Sequence, residues 1–554
     1  MDKRILDKLR HYGFNIFAIL GLVLFLIANA LIRFITAPDS GYPDFLIAFF
    51  SLFIYSIFAL AWIFLWVLYV ISKKYKDITG RNFISDTRKY GRSFKSLLEY
   101  FKDADTHILN PNQFEVKPWR DVRGIIFGIT DDGRVVKLTS DAECNIFVSG
   151  MMGSSKTTGV VIPTCSQYEG SILAVDMKGD IYNACHKKRN IYRFCPDLTD
   201  NFGRNIALEC SCSFNPFDGI QDMNETDKKL YISNMAMTLI PDEGGADGSY
   251  FPSRGRKLFI GIVYYLMEKK PNITFPEVLH AILHKQPPKG ILSESFPQSV
   301  FDWVLEISKS DCIIAIEQVS SLIGNNEKNI SGAFDSLTTA LTPFSNDILD
   351  ILLKGDGKCI SAKTLEQGGD VYLQISQKNL EVYAPLFTMI ISSFMNSFSQ
   401  RPDSSIGVKN RPILMVLDEF PQLTFSYKQM NSVLSTLRSK SIQCMIIAQN
   451  CSQLEHRFPN NGWRALLGNC NYQLILKSND ELTQKHFSTL FGSRKVLKTS
   501  NSDTSAEHSS SSRTTQEARE PIYQPEDFGD LGHKLCIYFN GKRVEANKIK
   551  SWEK

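Results

Sequence analysis

No CxxC pair occurs among the twelve cysteines of this sequence, which removes the common zinc ribbons and dithiol redox motifs from consideration. The nearest approach to a cluster is Cys210-Ser-Cys212 with Cys195 upstream. That spacing suits no common zinc site, so buried thiols in a reducing compartment account for it. His280 and His284 stand one helical turn apart but lack a third ligand nearby, and an ordinary helix face explains them. An excess of one charge is missing too: 62 Lys and Arg against 58 Asp and Glu leave +4 over 554 residues. Composition therefore gives no global argument for nucleic acid, and any basic surface has to be local.

Charge is also absent from two long runs near the start. Residues 14–32 and 45–71 are apolar stretches of nineteen and twenty-seven residues without a charged side chain, each above the ~18 needed to span a bilayer. A cleaved leader is not followed by a second span, so the reading is an integral two-helix hairpin over residues 1–75. Lys3, Arg4, Lys8 and Arg10 precede the first run, Lys73, Lys74 and Lys76 follow the second, and Asp39 and Asp44 lie between. The positive-inside rule then puts both ends in the cytoplasm, with the inner membrane as the expected location.

What the rest contains is a punctuated α/β pattern. A charged juxtamembrane stem (76–119) leads to a hairpin with Asp131-Asp-Gly133 at its turn, an Asp-Gly signal for type I′. The first half of a nucleotide-binding domain is expected over 120–224, with strands at 144–148 and 171–175. Over 225–352 apolar residues recur at helical spacing (Leu258, Ile262, Tyr265, Leu266) and strands become scarce, which reads as an all-α insertion. Strands return within 353–554, at 371–375, 413–417, 443–447, 472–476 and 535–539, with helical patterns between them. That alternation argues a parallel sheet. Residues 499–515, eleven of them Ser or Thr, lack apolar content and read as a flexible loop; a basic tail follows the strand at 535–539.

The chemistry is concentrated in Val148-Ser-Gly-Met-Met-Gly-Ser-Ser-Lys-Thr-Thr158. A Gly-rich loop leaving a strand turns successive backbone N–H groups into one concavity, and the following helix adds its positive end. Gly150, Gly153, Ser154, Ser155, Lys156, Thr157 and Thr158 are the candidate ATP-binding residues. Lys156 would reach the β/γ-phosphates and Thr157 would ligate Mg²⁺. Ser155 stands where glycine usually precedes the lysine, and a Cβ there threatens to strain the loop or narrow the phosphate nest. Ile413-Leu-Met-Val-Leu-Asp-Glu-Phe420 ends a buried strand in two carboxylates. Asp418 is the candidate second Mg²⁺ ligand and Glu419 the base that accepts a proton from water. Gln449 ends the next strand and suits a γ-phosphate sensor. Arg438 precedes that strand; an arginine finger reaching a neighbouring subunit and a solvated helix-end cation explain it equally well. At Asp176-Met-Lys-Gly-Asp180, Asp176 and Lys178 could trim the phosphate environment, although a turn with Gly179 at positive φ explains them nearly as well. Lys187-Lys-Arg189 and Arg254-Gly-Arg-Lys257 could line a DNA path, but such runs are usually solvated faces.

Taken together, Gly150-Met-Met-Gly-Ser-Ser-Lys-Thr157 with Val160-Val-Ile-Pro-Thr164, Val175-Asp-Met-Lys-Gly-Asp-Ile-Tyr182, Phe214-Asn-Pro-Phe-Asp218, Leu417-Asp-Glu-Phe-Pro421 and Ala448-Gln-Asn-Cys-Ser-Gln-Leu454 resemble the type IV secretion coupling proteins. The order matches over nearly the whole chain, and Ser155 and Ser441 depart from it where glycine is common. The resemblance implies a RecA-like P-loop ATPase core interrupted by an all-α domain and carried on the membrane hairpin. It also implies a homo-hexamer using ATP and Mg²⁺, with relaxase-bound single-stranded DNA or protein substrates and the secretion channel as partners. A septal-type DNA translocase and a non-hydrolysing cargo adaptor with a decayed loop are the alternatives.

Overall fold

The computed structural model describes residues 114–550 apart from 116, 201, 243–247, 292–295, 325, 405–409 and 505–509. The hairpin read over 1–75 and nearly all of the stem lie outside the described residues. Among those described, no helix is long and apolar enough to cross a membrane.

Twelve strands form one sheet: β1 (Phe114–Glu115), β2 (Ile125–Ile129), β3 (Val135–Leu138), β4 (Asn145–Ser149), β5 (Ser171–Val175), β6 (Ile191–Phe194), β7 (Asp370–Leu373), β8 (Ile413–Leu417), β9 (Ile442–Ala448), β10 (Tyr472–Ile475), β13 (Lys534–Phe539) and β14 (Lys542–Asn547). A separate ribbon pairs β11 (Ser493–Thr504) with β12 (Ser510–Pro521). The spatial order is β1-β3-β2-β14-β13-β10-β4-β9-β8-β5-β7-β6. From β10 to β6 every neighbouring pair is parallel, and β13 turns antiparallel against β10. Parallel strands are covered on both faces, which is why they read as continuous apolar runs. Successive side chains alternate between two cores: Ile413, Met415 and Leu417 of β8 face one, Leu414 and Val416 the other. Each such side chain contributes about 1.5–3 kcal/mol on burial; with both faces apolar, a one-residue slip of β8 would swap the two sets between cores packed for the other and move Asp418 off the sheet edge.

The loop after β4 passes through a π-helical turn, Thr157–Val161, into α1 (Ile162–Gln167), and α2 (Asp180–Cys185) follows β5. Between β6 and β7 the longer elements are all helices: α3 (Glu225–Leu239), α4 (Tyr250–Lys269), α5 (Phe275–Leu283), α6 (Val300–Ser308), α7 (Ile313–Ser320), α8 (Glu327–Leu341) and α9 (Asp347–Leu352). Their starts are chemically marked. Asn224 accepts from the Asp227 N–H, and Thr274/Glu277 and Ser299/Asp302 form reciprocal capping boxes at α5 and α6. His280 pairs with Asp350 at 2.7 Å and His284 with Ser345 at 2.9 Å, so both histidines hold helix α5 against its neighbours. After β7 come α10 (Leu380–Ser399), α11 (Tyr427–Thr436), α12 (Cys451–Arg457), α13 (Gly462–Gly468) and α14 (Glu481–Phe491).

Three expectations need correction. The Ser/Thr tract read as a flexible loop lies mostly in the β11–β12 ribbon, paired in register from Ser493↔Pro521 to Thr504↔Ser510. A two-stranded ribbon satisfies its backbone groups across the ladder without an apolar core, and threonine suits extended backbone. The basic tail is mostly strand: β14 pairs with β13 and touches β2 at Asn547↔Ile129, closing the parallel sheet onto the first hairpin. That hairpin itself is present, but only Gly133 of its turn has positive φ (86°), and the Gly133 N–H donates to the Thr130 carbonyl. It is therefore a longer turn with a left-handed glycine rather than type I′, which needs two such residues.

Candidate nucleotide site

Because β4, β9, β8 and β5 run parallel, their carboxyl ends share one edge, and the loops leaving that edge build the site. A cavity of about 240 Å³ there is lined by the loop 151–158, by Asp176, Lys178, Asp180, Asp418 and Glu419, and by Gln377, Leu380 and Gln422. Residues 262 positions apart, Lys156 and Asp418, thus face one volume.

The loop is stretched tightly over the strand end. Its Met151 N–H donates to the Lys477 carbonyl at 2.7 Å, and Ser154 N–H to the Met151 carbonyl at 3.1 Å. Gly150 has no room for a side chain: a Cβ there would lie 2.5 Å from Ser154 Oγ and 3.1 Å from Leu476 Cβ. Ser155 adopts φ 67°, the left-handed region that glycine tolerates and L-residues resist. The substitution noted in the sequence thus sits on a position whose backbone asks for glycine. Ser155→Gly is expected to raise stability by about 1 kcal/mol, the relief of left-handed strain less the added chain entropy. An unchanged or lowered denaturant midpoint would contradict this.

Lys156 is buried and turns back on its own loop, donating to the Gly150 carbonyl and, at 3.3 Å, to that of Met151. Burial pushes its ammonium down while Glu419 and Asp418 hold it up, so both carboxylates lie within electrostatic reach. Asp418 is pushed up to about 6, first by burial and then by the like charge of Glu419, with Lys156 opposing. Glu419 sits at φ 49°, a second left-handed non-glycine residue at the same cavity. Gln449, at the end of β9, donates its Nε2–H to both carboxylate oxygens of Glu419, at 3.1 and 3.2 Å. A carboxylate so held is oriented and left able to accept a proton.

Asp176 is buried and accepts from the Tyr182 N–H at 2.8 Å, the Ile181 N–H at 3.4 Å and Gln374 Nε2 at 3.0 Å. It ties the start of α2, and Gly179 before that helix has φ 74°, so the turn explanation accounts for Asp176, which lines the cavity together with Lys178. Sequence reading missed Gln377 and Gln422. The first is presented by a loop pinned to Asp197, which accepts from the Ser376 N–H at 3.0 Å and Asn379 Nδ2 at 2.9 Å. Nothing in the local sequence marks that anchor.

Arg438 is elsewhere. It lies on the turn Leu437–Lys440 that precedes β9, whereas the cavity is at the far end of that strand, roughly 20 Å away along it. Its Nη1 donates to Asn471 Oδ1 at 3.3 Å, and its Nε is buried without a partner among the described residues. The arginines of the basic runs are engaged within the chain, while Lys187 and Lys188 are exposed: Arg189 binds Asp370 at 2.9 Å and the Tyr168 and Gly170 carbonyls at 2.6 Å. Arg256 pairs with Asp242 at 2.6 Å, and Arg254 lies over the Tyr250 ring at 4.2 Å.

The residues present fit a polyphosphate with Mg²⁺. Among the described residues the Ser154 hydroxyl, which lines the cavity, is buried without a partner, Lys156 is satisfied only by loop carbonyls, and two crowded carboxylates lack a cation strong enough to keep Asp418 low. Thr157 and Asp418 are the residues that would hold the metal.

Residues 118–552 match the model of the family described as type IV secretory system conjugative DNA transfer. The conjugal transfer protein TraG of Escherichia coli is 21% identical over 439 residues, covering 75% of this chain and 65% of that protein. The protein VirD4 of Agrobacterium fabrum is 26% identical over 391 residues, covering 67% of this chain and 53% of that one. The chain thus spans about half to two-thirds of the length of these curated relatives. Among solved structures, the plasmid coupling protein TrwB in complex with ADP and Mg²⁺ has a TM-score of 0.56 at 13% identity, covering 80% of this chain and 93% of that one. That likeness shows a shared fold, the α/β RecA-like core. With the match extending over most of its length, this chain belongs to the type IV secretory system conjugative DNA transfer family.

Proposed function

We propose that the protein is a membrane-anchored, hexameric ATPase that couples ATP hydrolysis to delivery of relaxase-bound single-stranded DNA, or of protein substrates, into a type IV secretion channel at the inner membrane. The observation that carries the reading is the meeting of Lys156, Asp418 and Glu419, with Gln449 on Glu419, in one cavity at a parallel sheet edge. TrwB, a structural neighbour, binds ADP with Mg²⁺, which supports the choice of nucleotide.

In this reading Lys156 releases its loop carbonyls and binds the β/γ-phosphates, with the loop N–H groups completing the cradle. Thr157 and Asp418 would hold Mg²⁺, which when bound would supply positive charge to the phosphoryl oxygens. Glu419 takes the proton of the attacking water on a carboxylate oxygen, and Gln449 fixes which way that carboxylate faces and follows the γ-phosphate. Single-stranded DNA would stimulate turnover of the full chain in detergent micelles, and Lys156→Ala would abolish it. Equal rates for the two proteins would instead favour a non-hydrolysing cargo adaptor, the reading to which the strained Ser155 lends some weight.

Arg438 cannot reach the cavity of its own chain, so its role in this scheme is in a neighbour's. Arg438→Ala is expected to lower turnover by about a thousandfold, within the range for an arginine finger. Mixing it with inactive Glu419→Gln protein should restore part of the activity, because some interfaces then combine an intact base with an intact arginine. No recovery in the mixture would make Arg438 a structural residue.

A further inference from the structure

The cavity accounts for only one end of a nucleotide. The acidic pair belongs to β8, which lies on the β9 side of β4, whereas β10 lies directly on the other side. A polyphosphate with its terminal group toward Asp418 and Glu419 therefore extends its nucleoside end toward β10, β13 and β14. Register brings cations to that place. Lys477 follows β10 at the same edge as the loop, and its carbonyl receives the Met151 N–H. Since β13 is antiparallel to β10 and β14 to β13, the end of β14 returns to this edge and delivers Lys548.

Lys548 sits against the first turn after the phosphate loop. A Cβ built on Gly159 would be 3.3 Å from Lys548 Cβ and 3.5 Å from the Ile549 carbonyl, so the absent side chain of Gly159 is what admits this segment. The strap is fixed: Ile549 is buried with Val122, Ile126 and Val135, the Lys548 N–H donates to the His533 carbonyl at 2.9 Å, and its Nζ donates to the Gly532 carbonyl at 2.8 Å. One of three ammonium donors is thereby used. No carboxylate is paired with either lysine among the described residues. Burial first, and then the facing charge of Lys477, hold the Lys548 ammonium down. Two like charges kept together beside a phosphate loop form a gap suited to an anion.

We propose that Lys477 and Lys548 bind the α-phosphate of the nucleotide, forming a second, cationic wall of the site on the β10–β14 side. This rests on the nucleotide reading above. The wall reads charge rather than base, so diphosphates and triphosphates of adenosine and guanosine should all feel it.

The test is calorimetric titration of the full chain in detergent with ADP and with a non-hydrolysable ATP analogue. Lys477→Gln and Lys548→Gln are each expected to weaken binding about tenfold, the loss of one charge-assisted contact. Lys548→Arg should stay within a few-fold of wild type, and the double Gln variant should show a shallower salt dependence. Among the described residues Lys477 makes no side-chain hydrogen bond or ion pair to the strap, so its variant tests the proposal even if Lys548→Gln unfolds. Wild-type affinity in Lys477→Gln and in folded Lys548→Gln, with binding lost in Lys156→Ala, would overturn the lysine wall and leave the nucleotide reading intact. No nucleotide binding by the wild type would overturn both.

Discussion

Glu419→Gln is expected to lower steady-state ATP turnover about a thousandfold while leaving nucleotide affinity within a few-fold of wild type. The amide has the same shape and keeps one acceptor oxygen for the Gln449 Nε2–H, whereas the second of the two contacts, at 3.1 and 3.2 Å in the wild type, is lost where the amide NH2 replaces an oxygen. What it lacks is a lone pair basic enough to take a proton. Removing the Glu419 charge also removes the second-largest cause raising Asp418, so that carboxyl falls from about 6 toward its ordinary value. Its metal-binding form is then more populated at neutral pH, so affinity for a Mg²⁺ nucleotide should be maintained or improved. Turnover by coupled assay and affinity by titration check the two halves separately. If both fall together, Glu419 acts in binding and the assignment of the base is wrong.

Lys156→Ala is expected to weaken nucleotide binding by at least a hundredfold, equivalent to about 3 kcal/mol. The lysine is buried at the neck of the loop and is the cation that offsets Asp418 and Glu419. Deleting it leaves a polyphosphate facing two carboxylates with Lys178 as the remaining cation of the cavity lining. The same deletion removes the largest influence holding the Asp418 carboxyl down, which should move it above about 6. Binding that remains should then fall away already as pH drops through neutrality, earlier than in wild type, because the protonated carboxyl no longer ligates Mg²⁺. Isothermal titration from pH 6 to 8 measures both effects. A Kd unchanged from wild type would remove Lys156 from the site.

Much of the core could be read locally because a strand buried on both faces announces itself. The runs at 171–175, 413–417 and 472–476 each coincide with a parallel strand to within a residue. The short edge strands β1 and β6 were missed, since a half-exposed run such as Ile191–Phe194 carries no unbroken apolar signal. At the site, Lys156, Asp418, Glu419 and Gln449 were legible because each ends or follows a strong strand. Gln377 and Gln422 were not, being exposed or loop-borne polar residues whose importance comes from what lies opposite them. Asp176 had two readings, and only the hydrogen bonds to Tyr182, Ile181 and Gln374 show what ties it in place.

The sequence by itself determined the class of fold, the phosphate loop, the acidic strand end and the unusual serine, because each is written in contiguous residues whose spacing fixes the local backbone. Only tertiary structure decided that Ser155 occupies a left-handed position, that Gln449 grips Glu419, that Arg438 stands at the wrong end of β9 for its own cavity, and that Lys477 and Lys548 converge beside Gly159. The last three depend on strand order and register, which are set by burial summed over the whole sheet and so have no local signature, whereas the strain at Ser155 had a local sign in the glycine it replaces.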